Sequence, residues 1–478
     1  MTDLLPLAHG LGTRSDLPVP LWIAVYGAVL ALLVSFAALT FLWKKPKFND
    51  PGGRPISAGV SDVLSSPSLG IFFRLVGLLA FGIFLAAAWF GPNDPATNPA
   101  PYWLYVWFWV GLLPASMMFG SVMKAFSPMR SISGLLSMVM RGSERPIPPT
   151  WGMWPAAIGL FGFVWLELVY ADASLPRVVA VYATVYALIN IVAGVVYGQD
   201  WFEHGEGFEV YSTLVGRLAP LARTEYGTWV LRNPMHGLSL TPPVAGLVGV
   251  VTALLGSTAF DGLTRTPFWI DYSNSLEGAS YLLAGTIGLA GAIAVVAGVY
   301  WAAIQMTRFW LPERTTLLAD FAPSLVPIAI GYTIAHYFSF AIFDGQTGWI
   351  LASDPFGLGW DLFGTEGARI NYTLISTEWI ALVQVGAIAL GHVAGVVLAH
   401  DRAISLFRKR HHMSAQYPLL CAMVAFTMSG IALVVGSANS FWLLVTVAVF
   451  MPMAALFVWV TAPVEPPEQD RVPERASS

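Results

Sequence analysis

Long runs of apolar residues, repeated along almost the whole chain, constrain the fold more than any other feature. Apolar residues make up 56% of the 478 residues, and charged residues only 11%. So much apolar surface cannot be hidden in one water-soluble core. A run of about 20 apolar residues, at about 1.5 Å per helical residue, spans the hydrocarbon layer of a bilayer. The sequence therefore predicts an all-α, polytopic transmembrane helix bundle solvated by lipid.

The apolar runs predict about eleven spans. Their approximate bounds are 19–43, 68–90, 101–123, 151–170, 177–198, 242–260, 280–303, 321–343, 377–400, 417–437 and 440–461. Residues 1–462 would form the bundle, and the polar, proline-rich residues 463–478 are predicted to be a disordered cytoplasmic tail.

Two segments between spans, 124–150 and 199–241, are predicted to lie at the inner membrane surface as amphipathic helices. In the second segment, Phe208, Tyr211 and Leu214 share one helical face, opposite Glu206 and Glu209. A docking surface for a cytoplasmic protein partner is the alternative interpretation of these segments.

The distribution of basic residues predicts the orientation, because cytoplasmic loops are enriched in Lys and Arg. With alternating spans, 19 of the 24 Lys and Arg residues lie on one side, four lie on the other, and Arg74 lies within a span. One missed or invented span would reverse every later loop and remove this asymmetry. We therefore expect the N-terminus outside, the C-terminus inside, and a multi-pass protein of the plasma membrane.

Motif searches remove several function classes. The net charge is −4 and no basic stretch has the character of a nucleic-acid site. The chain contains no phosphate-binding loop, HExxH or GxSxG motif. Its single cysteine, Cys421, excludes an intramolecular disulfide and a paired-cysteine metal site, and is predicted to be a small buried hydrophobe.

Ionisable residues inside two of the predicted spans indicate where function lies. His336 is in span 321–343, and Glu378, Gln384 and His392 are in span 377–400. Such groups are costly in hydrocarbon, so they usually face a protein interior or a water-filled cavity.

Most of these groups fall in the predicted outer half of the membrane, together with Glu167 and the segment around Asp261. A shared outward-facing polar pocket would explain the clustering. In it, we expect His336 to act as base or metal ligand, Asp261, Asp344 and Glu378 as ligands or orienting carboxylates, and Arg265 to bind an anionic group. A divalent metal is left open as a cofactor. The alternative is that each group pairs locally and fixes helix packing.

Other polar and aromatic residues are predicted to be structural. His392 lies beside Gly391 and Gly395, whose spacing is typical of close helix packing, so an interhelical hydrogen bond is favoured over haem or metal binding. A cluster of aromatic residues is predicted to form an interfacial anchor belt: Trp103, Tyr105, Trp107 and Trp109.

Five stretches spread along the chain carry a resemblance to a known family. They are AHGLGTRSDLPVP from Ala8, DWFEHGEGFEVY from Asp200, GSTAFDGLTRTPFW from Gly256, AHYFSFAIFDGQ from Ala335 and LGHVAGVVLAHDRA from Leu390. Together they resemble the polytopic actinobacterial membrane proteins called fenitrothion hydrolase. The resemblance implies an integral membrane protein that hydrolyses organophosphate or related esters, and it assigns no catalytic residues.

Three functions therefore stay open. The preferred one is a hydrolase that binds a small-molecule substrate in the outward-facing pocket. The second is a transporter of a small solute or metal ion that uses the same polar residues, favoured by the proline-containing interruption at 322–327. The third is a membrane subunit or scaffold that binds a partner through its inner amphipathic segments.

Overall fold

The computed structural model describes residues 21–48, 52–140, 145–224, 227–407 and 413–435. In chain order its helices are α1 (Leu21–Leu42), α2 (Ala58–Leu64), α3 (Pro67–Phe90), α4 (Ala100–Tyr102), a π-helix (Trp103–Val110), α5 (Gly111–Phe119), α6 (Val122–Phe126), α7 (Pro128–Met140), α8 (Trp154–Leu168), α9 (Pro176–Tyr197), α10 (Asp200–His204), α11 (Gly207–Gly216), α12 (Pro234–Ser239), α13 (Leu247–Thr264), α14 (Pro267–Ser273), α15 (Gly278–Arg308), α16 (Leu317–Phe321), a 3₁₀ turn (Ala322–Leu325), α17 (Val326–Leu351), α18 (Thr377–Leu406), a second 3₁₀ turn (Ser414–Gln416) and α19 (Tyr417–Val435).

The described residues form an all-α bundle with the character of a multi-pass membrane protein, as predicted. Nine of their helical segments are long and apolar enough to cross a bilayer. The predicted span at 151–170 corresponds to the shorter apolar helix α8. The predicted eleventh span, 440–461, and the predicted tail lie outside the described residues. The total of eleven spans, their orientation and the plasma-membrane location stay predictions.

A small three-stranded sheet joins two distant segments. Its strands are β1 (Arg54–Pro55), β2 (Leu221–Arg223) and β3 (Trp229–Leu231), in the antiparallel order β1-β3-β2. The residue opposite Arg54 is Leu231. This sheet cannot be predicted from the sequence, because strands of two or three residues are too short to show the alternation typical of a strand.

The third predicted span is not a regular α-helix. It runs through α4, the π-helix and α5, and ends at Gly120, whose φ of 86° is readily adopted only by glycine. Within it Trp107 is 43% exposed, whereas Tyr105 and Trp109 are 5% and 4% exposed. Half of the expected anchor belt is therefore core, because residues two positions apart do not share a face of a helix.

Helix α11 is buried on every side, unlike the surface helix predicted for this segment. It packs against α5, α6 and α8, and Glu206 and Glu209 are fully buried. The expected exposed polar face is therefore absent. Buried partners, described below, take the place of water around both carboxyl groups.

Helices α17 and α18 form the most extensive helix pair, and glycines bring their backbones together. A Cβ atom on Gly391 would lie 2.5 Å from the carbonyl oxygen of Pro327, and one on Gly395 would lie 2.6 Å from that of Ser324. Both distances are far below van der Waals contact. The predicted packing role of these two glycines is confirmed. The close packing of α17 against α18 holds His336, on α17, inside the bundle.

We expect Gly391→Ala to lower the free energy of unfolding by about 1–3 kcal/mol, because an added methyl group forces α17 and α18 apart. Gly386→Ala on the same helix is the matched control, since a Cβ there would meet nothing within 4 Å. Thermal unfolding in detergent can be followed through the reaction of Cys421, the single cysteine, with a fluorogenic thiol reagent. Equal losses in the two variants would contradict this account.

Candidate functional site

The candidate site is centred on Asp261, a fully buried residue in the last turn of α13. Arg265 follows one helical turn later, and this spacing puts both side chains on one face of the chain. Its Nη2 donates to both carboxylate oxygens of Asp261, at 3.2 Å each. The guanidinium is partly exposed, while the carboxylate is enclosed by the bundle.

Helix α17 supplies the second partner of Asp261. His336 is 2% exposed, and its Nδ1 lies 3.4 Å from Oδ2 of Asp261. Gly262 allows this approach, because a Cβ atom there would lie 3.2 Å from Cε1 of His336. The imidazole and the guanidinium thus lie beside one carboxylate.

A second carboxyl group belongs to the same buried region. Glu167, in the last turn of α8, is 6% exposed. The hydroxyl of Tyr337, the neighbour of His336, donates to Glu167 Oε1 at 3.1 Å. Glu167 also interacts electrostatically with Asp261 and Arg265. We call these five residues the acidic cluster: Glu167, Asp261, Arg265, His336 and Tyr337.

The structure thus brings together Asp261, Arg265 and His336 of the predicted site, but Asp344 and Glu378 take no part in the contacts described above. Glu378 is exposed in the first turn of α18 and is hydrogen-bonded to Ser376. Asp344 is half-buried eight residues beyond His336, about 12 Å along α17. Tyr337 was missed, because a tyrosine in an aromatic stretch gives no sequence signal beyond packing.

His392 is also placed differently from the expectation. It is buried, and its Nδ1 lies 2.8 Å from the carbonyl oxygen of Ile388 in the same helix. Its ring meets that of Tyr332 edge to face, with centroids 5.8 Å apart. The hydrogen bond is therefore within α18, and the interhelical contact is aromatic.

Further buried polar groups lie at the end of α18 that is predicted to face the cytoplasm. Asp320 accepts from Arg314 Nε and Arg402 Nη2, at 2.5 Å each, and from Thr316 at 2.8 Å. These contacts join α16 to α18 and to the loop before α16. They fix this end of the bundle.

The neighbouring residues of α18 hold the chain that follows α1. Asp401 accepts from Trp43 Nε1 at 2.9 Å and from the backbone N–H groups of Lys47 and Phe48. Nδ1 of His400 lies 2.8 Å from Oε1 of Gln416. Both nitrogens of the His400 ring have a partner, since Nε2 lies 3.2 Å from the carbonyl oxygen of Trp43.

Helix α11 carries two buried carboxyl groups. Glu206 caps the helix by accepting from the N–H groups of Phe208 and Glu209, and it also accepts from the Tyr186 hydroxyl. Burial raises the pKa of Glu206 to about 7. Glu209 accepts from Arg130 Nε at 3.0 Å and Nη2 at 2.5 Å. Burial raises the pKa of Glu209, and the guanidinium opposes that rise.

The carboxyl and imidazole groups of the acidic cluster are not arranged as a metal site. In the described ranges, no three His, Cys, Asp or Glu side chains are grouped so as to hold a metal ion. The structure has a groove of about 700 Å³ beside the π-helix and a second cavity of about 570 Å³ beside Gln346 and Arg369. Neither of these two cavities is lined by Asp261 or His336.

Comparisons with protein-family models, with curated proteins and with solved structures find no match for this chain. The family resemblance carried by the five stretches thus stays a prediction, and function is argued from the acidic cluster.

Proposed function

We propose that the protein is a membrane transporter that conducts protons, and that the acidic cluster binds and releases the transported proton. The observation that carries this proposal is the charge of the cluster. Asp261 and Glu167 supply two carboxyl groups, Arg265 supplies one permanent positive charge, and His336 is titratable. With both carboxylates ionised and the imidazole neutral, these groups sum to −1.

A net charge of −1 in a buried site is unfavourable. Removing one ion from water costs several kcal/mol unless it is compensated. One proton, bound by His336 or Glu167, makes the four groups neutral. Because the site is coupled, that proton belongs to the cluster as a whole rather than to one residue. Such intramembrane groups are typical of proton relays in pumps and transporters.

Polar side chains continue from the cluster along the interface of α17 and α18. Tyr332 lies one turn from His336 on α17, and its ring contacts His392 on α18. His400 follows eight residues later, about 12 Å along α18. A series of titratable or hydroxyl groups toward the predicted inner end favours proton movement over a closed hydrolytic site.

Ester hydrolysis is the second candidate, and the contact between His336 and Asp261 favours it. A histidine oriented by a carboxylate can act as a general base. If this candidate holds, purified protein incubated with an aryl phosphotriester releases the phenol, and His336→Ala does not. Equal release by the two proteins would exclude His336 as the base.

The transport proposal is tested by proton entry into proteoliposomes that contain a pH-sensitive dye, under an imposed potassium diffusion potential. We expect protein-containing vesicles to acidify faster than empty ones. His336→Gln should slow entry about 100-fold, since a positioned proton-transfer group contributes about 10²–10⁴-fold to a rate. His204→Gln on the short helix α10 is the matched control. Equal acidification of empty and protein-containing vesicles would overturn the proposal.

A further inference from the structure

An apolar groove lies along one face of the π-helix. Another face of the π-helix contacts Tyr337. The walls of the groove come from α3, the π-helix with α5, α6, the start of α7, α9 and the start of α11, and its volume is about 700 Å³. The lining residues are aliphatic, aromatic or small, and none of them is charged. A cavity of this size is within the range of small-molecule sites, about 300–1,000 Å³.

The polar groups on the lining residues are satisfied, with one exception. The indole N–H groups of Trp103 and Trp107 donate to the carbonyl oxygens of Gly348 and Gly345, so only the rings are left to face a ligand. The hydroxyl of Tyr186 donates to Glu206. The hydroxyl of Tyr182 is buried and has no hydrogen-bond partner among the described residues.

The groove opens where lipid is expected. Three of its walls, α3, the segment of the π-helix with α5, and α9, are candidate membrane spans. Ile83, Trp107 and Phe119 on its rim are exposed. An extended hydrocarbon chain fits both the volume and the lining.

We infer that this groove is a binding site for one acyl chain of a phospholipid from the surrounding bilayer, with the chain between α3 and the π-helix. The π-helix separates the two sites of the molecule. Trp103, Trp107 and Phe108 line the groove, whereas Trp109 on the other face contacts Tyr337 of the acidic cluster. π-Helical turns occur frequently at functional sites. The inference does not depend on proton movement.

The test uses a phosphatidylcholine that carries a photoreactive diazirine in one acyl chain, incorporated into proteoliposomes with the full chain. After illumination, mass spectrometry of peptides should find adducts concentrated on the lining of the groove. Ala115→Trp fills the groove and should lower the adduct yield there about tenfold, which corresponds to about 1.4 kcal/mol. Ala297→Trp, at a half-buried alanine of α15 outside the groove, is the matched control and should leave the yield unchanged.

A yield in Ala115→Trp equal to that of the wild type would overturn the site. So would wild-type adducts spread evenly over the exposed faces of α3, α9 and α15.

Discussion

Arg130→Ala should lower the free energy of unfolding by about 3–5 kcal/mol, because it leaves a buried carboxylate without its counter-ion. The guanidinium of Arg130 makes two hydrogen bonds to Glu209, which is fully buried, and a third to Gln199 at 3.2 Å. It also lies 5.1 Å from the ring centre of Phe202. Thermal and chemical unfolding in detergent, followed through Cys421, measures the loss.

The loss should grow with pH. Burial already raises the pKa of Glu209, and Arg130 opposes that rise. Without the guanidinium, the folded-state pKa moves further above the ordinary value. A carboxyl group with a raised folded-state pKa is most favourable when protonated, so stability falls as pH rises from the unfolded to the folded pKa. The loss of free energy of unfolding in Arg130→Ala should therefore be larger at pH 8 than at pH 5.

Two controls separate this effect from a general loss of contacts. In Arg130→Met with Glu209→Gln, no charge is left buried, and most of the stability should return. Lys124→Ala removes the partner of Glu203 in an ion pair whose side chains are 42% and 46% exposed. Exposed pairs contribute only about 0–1 kcal/mol. If Lys124→Ala and Arg130→Ala lost equal stability, the burial argument would be wrong.

The helical spans could be predicted because their signal is local. A run of about 20 apolar residues is visible without knowledge of its neighbours. The burial of α11 could not be predicted in this way. Glu206 and Glu209 resemble an exposed polar face, and only their contacts with Tyr186 and Arg130, on α9 and α7, allow them to be buried. The π-helix was also missed, since its sequence is as apolar as that of an α-helix.

The candidate site was predicted in part for a similar reason. Position along a helix follows from residue number, and Asp261, Arg265 and His336, which the sequence places near the same predicted membrane surface, lie close together in the structure. Depth does not determine the direction in which a side chain points. Glu378 is exposed at the start of α18, where a helix N-terminus favours a negative charge. Only the three-dimensional packing of α18 shows that Glu378 does not reach the other residues of the predicted site.

Asp261→Asn should remove proton entry while leaving the protein folded. The amide has almost the shape of the carboxylate and can still accept from Arg265. The charges of Glu167 and Arg265 then balance each other, so neutrality no longer requires a bound proton. We expect the rate of proton entry into proteoliposomes to fall about 100-fold, as for other positioned proton-transfer groups.

The matched control is Asp271→Asn. Asp271 is an exposed carboxylate on α14, at the same end of the bundle as Asp261. Gel filtration and unfolding of Asp261→Asn followed through Cys421 distinguish a folded, inactive protein from an unfolded one. A folded Asp261→Asn protein with the wild-type rate of proton entry would show that the acidic cluster only fixes the packing of α8, α13 and α17. In that case the buried charges would be structural, and the proton would have to cross the membrane elsewhere.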